Sequence, residues 1–213
     1  MYLPSHFQET RADVLQELIR THPLGTLVTF GPDGLNANHV PFEYDPHPAP
    51  LGILRAHVAR ANPVWREAAT DVPSLVVFQG PDAYVSPSWY PSKAEHGKVV
   101  PTWNYVMVQA RGPLRAIDDP AWLLQLVTRL TERHETPRSA PWAVSDAPAD
   151  YVQTMLRAIV GIELELTSLS GKWKVTQNRP AADRAGVVDG LKRVGDDAAM
   201  ALAAQVERPG SVG

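Results

Sequence analysis

The sequence predicts a mainly β fold with helices, a closed or nearly closed β-barrel carrying helical additions. Three observations lead there. Short apolar runs of strand length, separated by turn residues, follow one another through the first eighty positions. A long alternating stretch occupies 100–117, and amphipathic helical patterns lie around these strands rather than replacing them. No repeat with a period of 20 to 50 residues interrupts this order.

Each element follows from local pattern. Thr10 and Asp13 suit the start of a short helix whose Val14, Leu15, Leu18 and Ile19 share one face, and His22-Pro23 ends it. LGTLVTF at 24–30, GPDG at 31–34 and LNANHVPFEY at 35–44 read as a hairpin with a loop longer than the minimal type. Runs at 51–57 and 74–79 are two further strands; between them ARANPVWREAA turns into a short helix with Pro63 in its first turn. The stretch 100–117 reads as one strand bent near Gly112-Pro113. A helix follows Asp118 or Asp119, with Trp122, Leu123, Leu126, Val127 and Leu130 on its buried face, and after a proline-rich loop a second helix spans about 149–159. GIELELTSLSG at 161–171 is a strand whose Glu163 and Glu165 share a face that we expect to meet solvent. One domain is expected over 1–195, and the Ala-rich tail 196–213 is expected to fray.

Composition narrows the function. The 213 residues carry a formal net charge of -3, so no basic field draws the chain to nucleic-acid backbones. The chain has no cysteine, which removes disulfides, thiolate metal sites and cysteine nucleophiles, and suits a cytoplasmic protein. MYLPSHFQETRAD shows no basic segment followed by an apolar run, and no apolar stretch reaches membrane-spanning length, so a soluble protein is expected. GxGxxG, GxxxxGK and GxSxG are all missing, and no two of the seven histidines lie within four residues of each other; no metal site is expected.

Four polar clusters remain. Arg55, His57, Arg60 and Asn62 stand at a strand-to-helix turn suited to a phosphate, or form a solvated basic edge with an ordinary Asn-Pro turn. Ser86, Ser88, Trp89, Tyr90, Ser92 and Lys93, stiffened by Pro87 and Pro91, offer hydroxyls, one cation and aromatic rings to a planar phosphorylated ligand, or build a rigid structural loop. Thr102, Trp103 and Asn104 could hydrogen-bond the rim of a heterocycle, or fill a barrel. GKWKVTQNR at 171–179 alternates Lys172, Lys174 and Arg179 with Trp173 and ends in Gln177 and Asn178, a pattern that also describes a charged edge strand.

MYLPSHF, HVARANPVW, FQGPDAYVSPSWYPSK, VVPTWNY and GKWKVTQNR, in this order, resemble the PaiB family of FMN-binding negative transcriptional regulators. The resemblance runs from Met1 to about Arg193. It implies an FMN-binding split β-barrel that forms a homodimer with flavin near the subunit interface. It also implies that His57, Arg60, Asn62, Ser86 and Lys93 bind the phosphate and ribityl groups, that Trp89, Tyr90, Trp103 and Asn104 frame the ring, and that Thr102 is among the cofactor-binding residues. Lys172, Lys174 and Gln177 would come from the other subunit. Ala56, Val64 and Asp82 stand where family members often have Gly, Gln and His, and Asp82 adds negative charge near the expected phosphate site. An FMN-dependent oxidoreductase, or a haem-binding split barrel using His39, His57 or His134, are the other readings. The net charge and the lack of a basic recognition helix argue against direct binding to DNA.

Overall fold

The computed structural model describes residues 1–47 and 50–208. In chain order the elements begin with β1 (Gln8–Glu9), α1 (Ala12–Thr21), β2 (Leu24–Gly31), β3 (Gly34–Pro41), β4 (Glu43–Asp45) and β5 (Ile53–Ala59). Then come α2 (Val64–Glu67), β6 (Ser74–Val85), α3 (Ser92–His96), β7 (Thr102–Gly112), β8 (Leu114–Ile117) and α4 (Pro120–Glu135). The chain continues through α5 (Ala149–Arg157), β9 (Ile159–Glu165), β10 (Ser168–Lys174), α6 (Ala181–Val194) and α7 (Asp197–Glu207). The chain divides into two compact units, each made of separated stretches. Unit 1 holds Met1–Leu18, Phe78–Gln109 and the described part of Ser170–Gly213; unit 2 holds Ile19–Val77 and Ala110–Leu169.

In unit 2 an antiparallel sheet runs in the order β4-β5-β9-β8. Its register sets Arg55 opposite Glu163 and His57 opposite Gly161. Helix α4 covers part of this unit, burying Leu123, Leu126 and Leu130. Its start is fixed by Pro120 and by Asp119, whose carboxylate accepts from the backbone N–H groups of Ala121 and Trp122 at 2.8 and 3.3 Å. Gly161 makes room for Trp122, because a Cβ there would stand 2.3 Å from the indole. The β2–β3 hairpin pairs with residues 75–77 of β6.

Unit 1 is a sheet in the order β1-β10-β7-β6, the last through residues 78–85, with α6 and α7 beside it. Phe78, Val85, Val106 and Val108 from the strands are buried, as are Leu191 and Leu202 from the two helices. No helix among the described residues is long and apolar enough to cross a membrane.

Several sequence expectations need correction. Gly31 pairs with Gly34, so the hairpin loop is only Pro32-Asp33, and Gly34 at φ +96° supplies the left-handed residue that so short a loop requires. The strand expected over 35–44 breaks at Phe42, which is fully buried, leaving β3 and β4 separate. The run 161–171 is likewise two strands, β9 and β10, since Leu166 and Thr167 turn their N–H groups to Gly52 and Arg111 carbonyls. The stretch 100–117 divides at Pro113, and β8 joins β9.

The tail expected to fray is helical as far as Glu207. Asp196 caps α7 through the Ala199 N–H at 2.7 Å, and Ala199, Leu202, Ala203 and Val206 are buried at one-face helical spacing. Residues 209–213 lie outside the described part. Glu163, expected to face solvent, is buried because β9 is covered on both faces.

Candidate functional site

The strand-to-helix turn in unit 2 spends its polar groups internally. Arg60 donates to both Asp118 oxygens at 2.5 and 2.8 Å and to the carbonyls of Arg157 and Ile159 at 2.7 and 3.0 Å. The ion pair holds the Asp118 carboxyl below the usual carboxylate range. Asn62 donates to Asn38 at 2.8 Å and accepts from the Val64 N–H at 3.0 Å; its own N–H goes to Ala59. These bonds engage most of the donors that Arg60 and Asn62 carry at this turn. Arg55 bridges Asp45 and Glu163, and Arg115 also reaches Glu163. His57 is different: its Nδ1 is buried without a partner, and burial lowers its pKa below the ordinary histidine value.

In unit 1 the Ser86 cluster is mostly architecture. The Ser86 and Ser88 hydroxyls lie 2.7 Å apart, and Ser86 caps the short turn that follows by accepting from the Ser88 N–H. Trp89 packs on α6, where Gly186 and Gly190 leave space for it; a Cβ on Gly190 would lie 2.2 Å from the indole. Ser92 donates its hydroxyl and N–H to the buried Asp183 at 2.7 and 3.1 Å. Tyr90 lies under the Arg179 guanidinium, 5.1 Å from the ring centre, and its buried hydroxyl is unpaired. Burial pushes that phenol up. Lys93 is exposed.

The pair β7 and β10 brings together the rest. Lys174 Nζ donates to the Thr102 hydroxyl at 2.6 Å and the Trp103 carbonyl at 2.8 Å. Lys172 Nζ donates to the Tyr2 carbonyl at 3.0 Å. The ring centre of Tyr105 is 5.5 Å from the Lys172 ammonium and 5.9 Å from that of Lys174, and Tyr2 covers Lys172 from another side. Burial draws the Lys174 pKa below the ordinary lysine value, and neighbouring Lys172 adds to that effect. Neither ammonium has a carboxylate partner among the described residues.

Trp103, half exposed, is held by its indole N–H on Asp82 at 2.7 Å and by an edge-to-face contact with Tyr84. The other Asp82 oxygen takes the Gln79 amide at 2.8 Å, so this carboxylate orients an aromatic wall. Strand alternation points Asn104 to the opposite, buried side of β7; it is fully buried and neither amide atom has a partner. Gln177 braces the turn after β10 by donating to the Trp173 carbonyl and accepting from the Val175 N–H. That turn holds Thr176 at φ +59°, a strained value for a β-branched residue.

Of the expected site residues, then, Thr102, Trp103, Lys172 and Lys174 converge, while His57, Arg60 and Asn62 belong to unit 2. Tyr2, Tyr84 and Tyr105 complete the cluster and were not singled out individually in the sequence. Tyr105 is the last residue of the VVPTWNY motif. Two ammonium groups without acidic partners, a hydroxyl and several aromatic faces form a donor set that fits a phosphorylated heterocycle.

Residues 1–168 match the family model described as "Putative FMN-binding domain". The chain belongs to this PaiB-like FMN-binding family. FMN is the cofactor that goes with that membership. Over 212 residues the chain is 31% identical to Protease synthase and sporulation protein PAI 2 of Bacillus subtilis, covering 97% of each. It is 34% identical over 257 aligned positions to an uncharacterized protein of Aspergillus fumigatus, covering 100% of this chain and 98% of that one. Among solved structures, the flavocytochrome Anf3 of Azotobacter vinelandii superposes with a TM-score of 0.56 at 11% identity, over 78% of this chain and 69% of the other. That likeness is one of fold, and it gives the two antiparallel sheets as a flavin-type split barrel.

Proposed function

We propose that the protein is a homodimeric, FMN-binding regulator whose flavin lies against the β7–β10 face. The observation that carries this reading is the pair of ammonium groups, Lys172 and Lys174, that share Tyr105 and have no carboxylate to answer them. Thr102 keeps Lys174 directed, and Trp103, fixed through Asp82, offers a flat wall that excludes water from the ring. When bound, FMN supplies the redox chemistry. Val100, Trp103 and Tyr84 are all exposed in unit 1, and apolar surface of this kind favours cover by a second copy of the chain. The printed name of the Bacillus relative, which refers to protease synthesis and sporulation, supports regulation. The net charge of -3 favours action through a protein partner over direct contact with DNA.

An FMN-dependent oxidoreductase is the second reading, favoured by the Lys174 ammonium, a proton donor directed by the Thr102 hydroxyl and the Trp103 carbonyl. Titration of the purified protein with FMN, followed by anaerobic NADH or NADPH, tests both. Saturable binding without bleaching of the flavin spectrum supports the regulator; rapid bleaching supports the oxidoreductase. Absence of binding defeats both. Light scattering on the same sample tests the dimer, and a monomer at all concentrations would remove that part of the proposal.

A further inference from the structure

Within unit 1 a small cavity of about 30 Å³ lies among β10, the start of α1, and helices α6 and α7. It is large enough for a compact guest by the measure in which a single water needs roughly 10–15 Å³. Its polar wall is strongly basic. Arg11, Arg184 and Arg208 all line it, with Glu9 as the one carboxylate.

That carboxylate is already engaged by Arg11, which donates to it from Nε and a terminal nitrogen at 3.0 and 2.7 Å and from its backbone N–H at 2.9 Å. Arg184 is not answered in the same way. One terminal nitrogen reaches the Val206 carbonyl at 3.4 Å, while its Nε is buried without any partner. A buried guanidinium N–H with no acceptor is a costly arrangement, and a guest carrying oxygen acceptors and negative charge relieves it. Gln205 adds a donor: its carbonyl oxygen accepts from the Trp173 indole at 3.1 Å, which leaves its amide nitrogen for a guest. Both amide atoms of Gln177, by contrast, are committed to the β10 backbone. Val14, Val175 and Val206 close the remaining wall.

We propose that this cavity binds a compact oxyanion, either a short-chain carboxylate or inorganic phosphate, gripped by Arg184, Gln205 and Arg208. Charge-assisted bonds from a planar guanidinium suit both chemistries, and the valine wall would favour a carboxylate with a short apolar end. The site is separate from the flavin face proposed above and does not depend on it.

The test is calorimetric titration of the full-length, FMN-loaded protein with propionate and with sodium phosphate in chloride-free buffer. Saturable binding of one of them is expected, and the tighter of the two identifies the source. Arg184→Gln should weaken that binding about tenfold, consistent with loss of a charge-assisted contact. Arg208→Gln, a change at an exposed residue, should weaken it less and guards against an effect of misfolding in the first variant. No saturable heat with either anion, or equal affinity in both variants, would overturn the proposal. So would competition between FMN and the anion, which would make the cavity part of the flavin site.

Discussion

The basic turn of unit 2 and the basic strand of unit 1 look alike as sequence, each combining cations with an aromatic ring and an amide, yet they solve opposite problems. Arg60 and Arg55 are answered by Asp118, Asp45 and Glu163. Lys172 and Lys174 are answered only by carbonyls, a hydroxyl and the faces of tyrosines. A cation with a carboxylate has spent its charge on the fold, whereas one held by neutral groups keeps most of it for an anion. This contrast, more than the count of basic residues, separates architecture from candidate site.

The largest effect should come from breaking the spent side of the comparison. Glu163→Ala removes the buried partner of Arg55 and Arg115, and should cost about 3 kcal/mol in chemical denaturation while leaving FMN affinity of the folded protein unchanged. A loss below 1 kcal/mol would mean that the network is ornamental. Gly190→Ala forces a Cβ against Trp89 and should cost about 2 kcal/mol by overpacking, read from the same denaturation curves. Lys174→Ala should weaken FMN binding about tenfold, equivalent to about 1.4 kcal/mol, with little change in stability. Arg60→Ala should do the reverse, lowering the melting temperature while leaving FMN affinity nearly unchanged.

The smallest effect is a pH dependence from His57. Its folded pKa lies below the unfolded value of about 6.5, so the unfolded chain binds more protons as pH falls below that point. Stability should therefore decline from pH 7 towards pH 5 and reach its plateau only below the folded pKa. His57→Gln should flatten that part of the profile; an unchanged profile would assign the slope to other groups.

Much of the fold was legible because strand alternation and helix caps are local. Asp119, Pro120 and the apolar spacing of α4 were all readable. Burial on the second face of a sheet was not: Glu163 alternates like a solvent-facing residue, and only the covering of β9 puts it beside two arginines. The α7 signal was present in the spacing of Ala199, Leu202, Ala203 and Val206, but alanine's small apolar area hides such a stripe until α6 packs on it. For the site, the family motifs named Thr102, Trp103, Lys172 and Lys174, which do converge. Sequence could not reveal that Arg60 finds Asp118, because the two lie 58 residues apart and meet only through the fold. Nor could it show Asp82 bracing Trp103.

The most direct test of this account is a parallel FMN titration of wild type, Lys174→Ala and Arg60→Ala, following flavin fluorescence. The account predicts an affinity about tenfold weaker for the lysine variant alone. Equal loss in both variants, or loss in the arginine variant only, would contradict it and return the phosphate to the turn in unit 2.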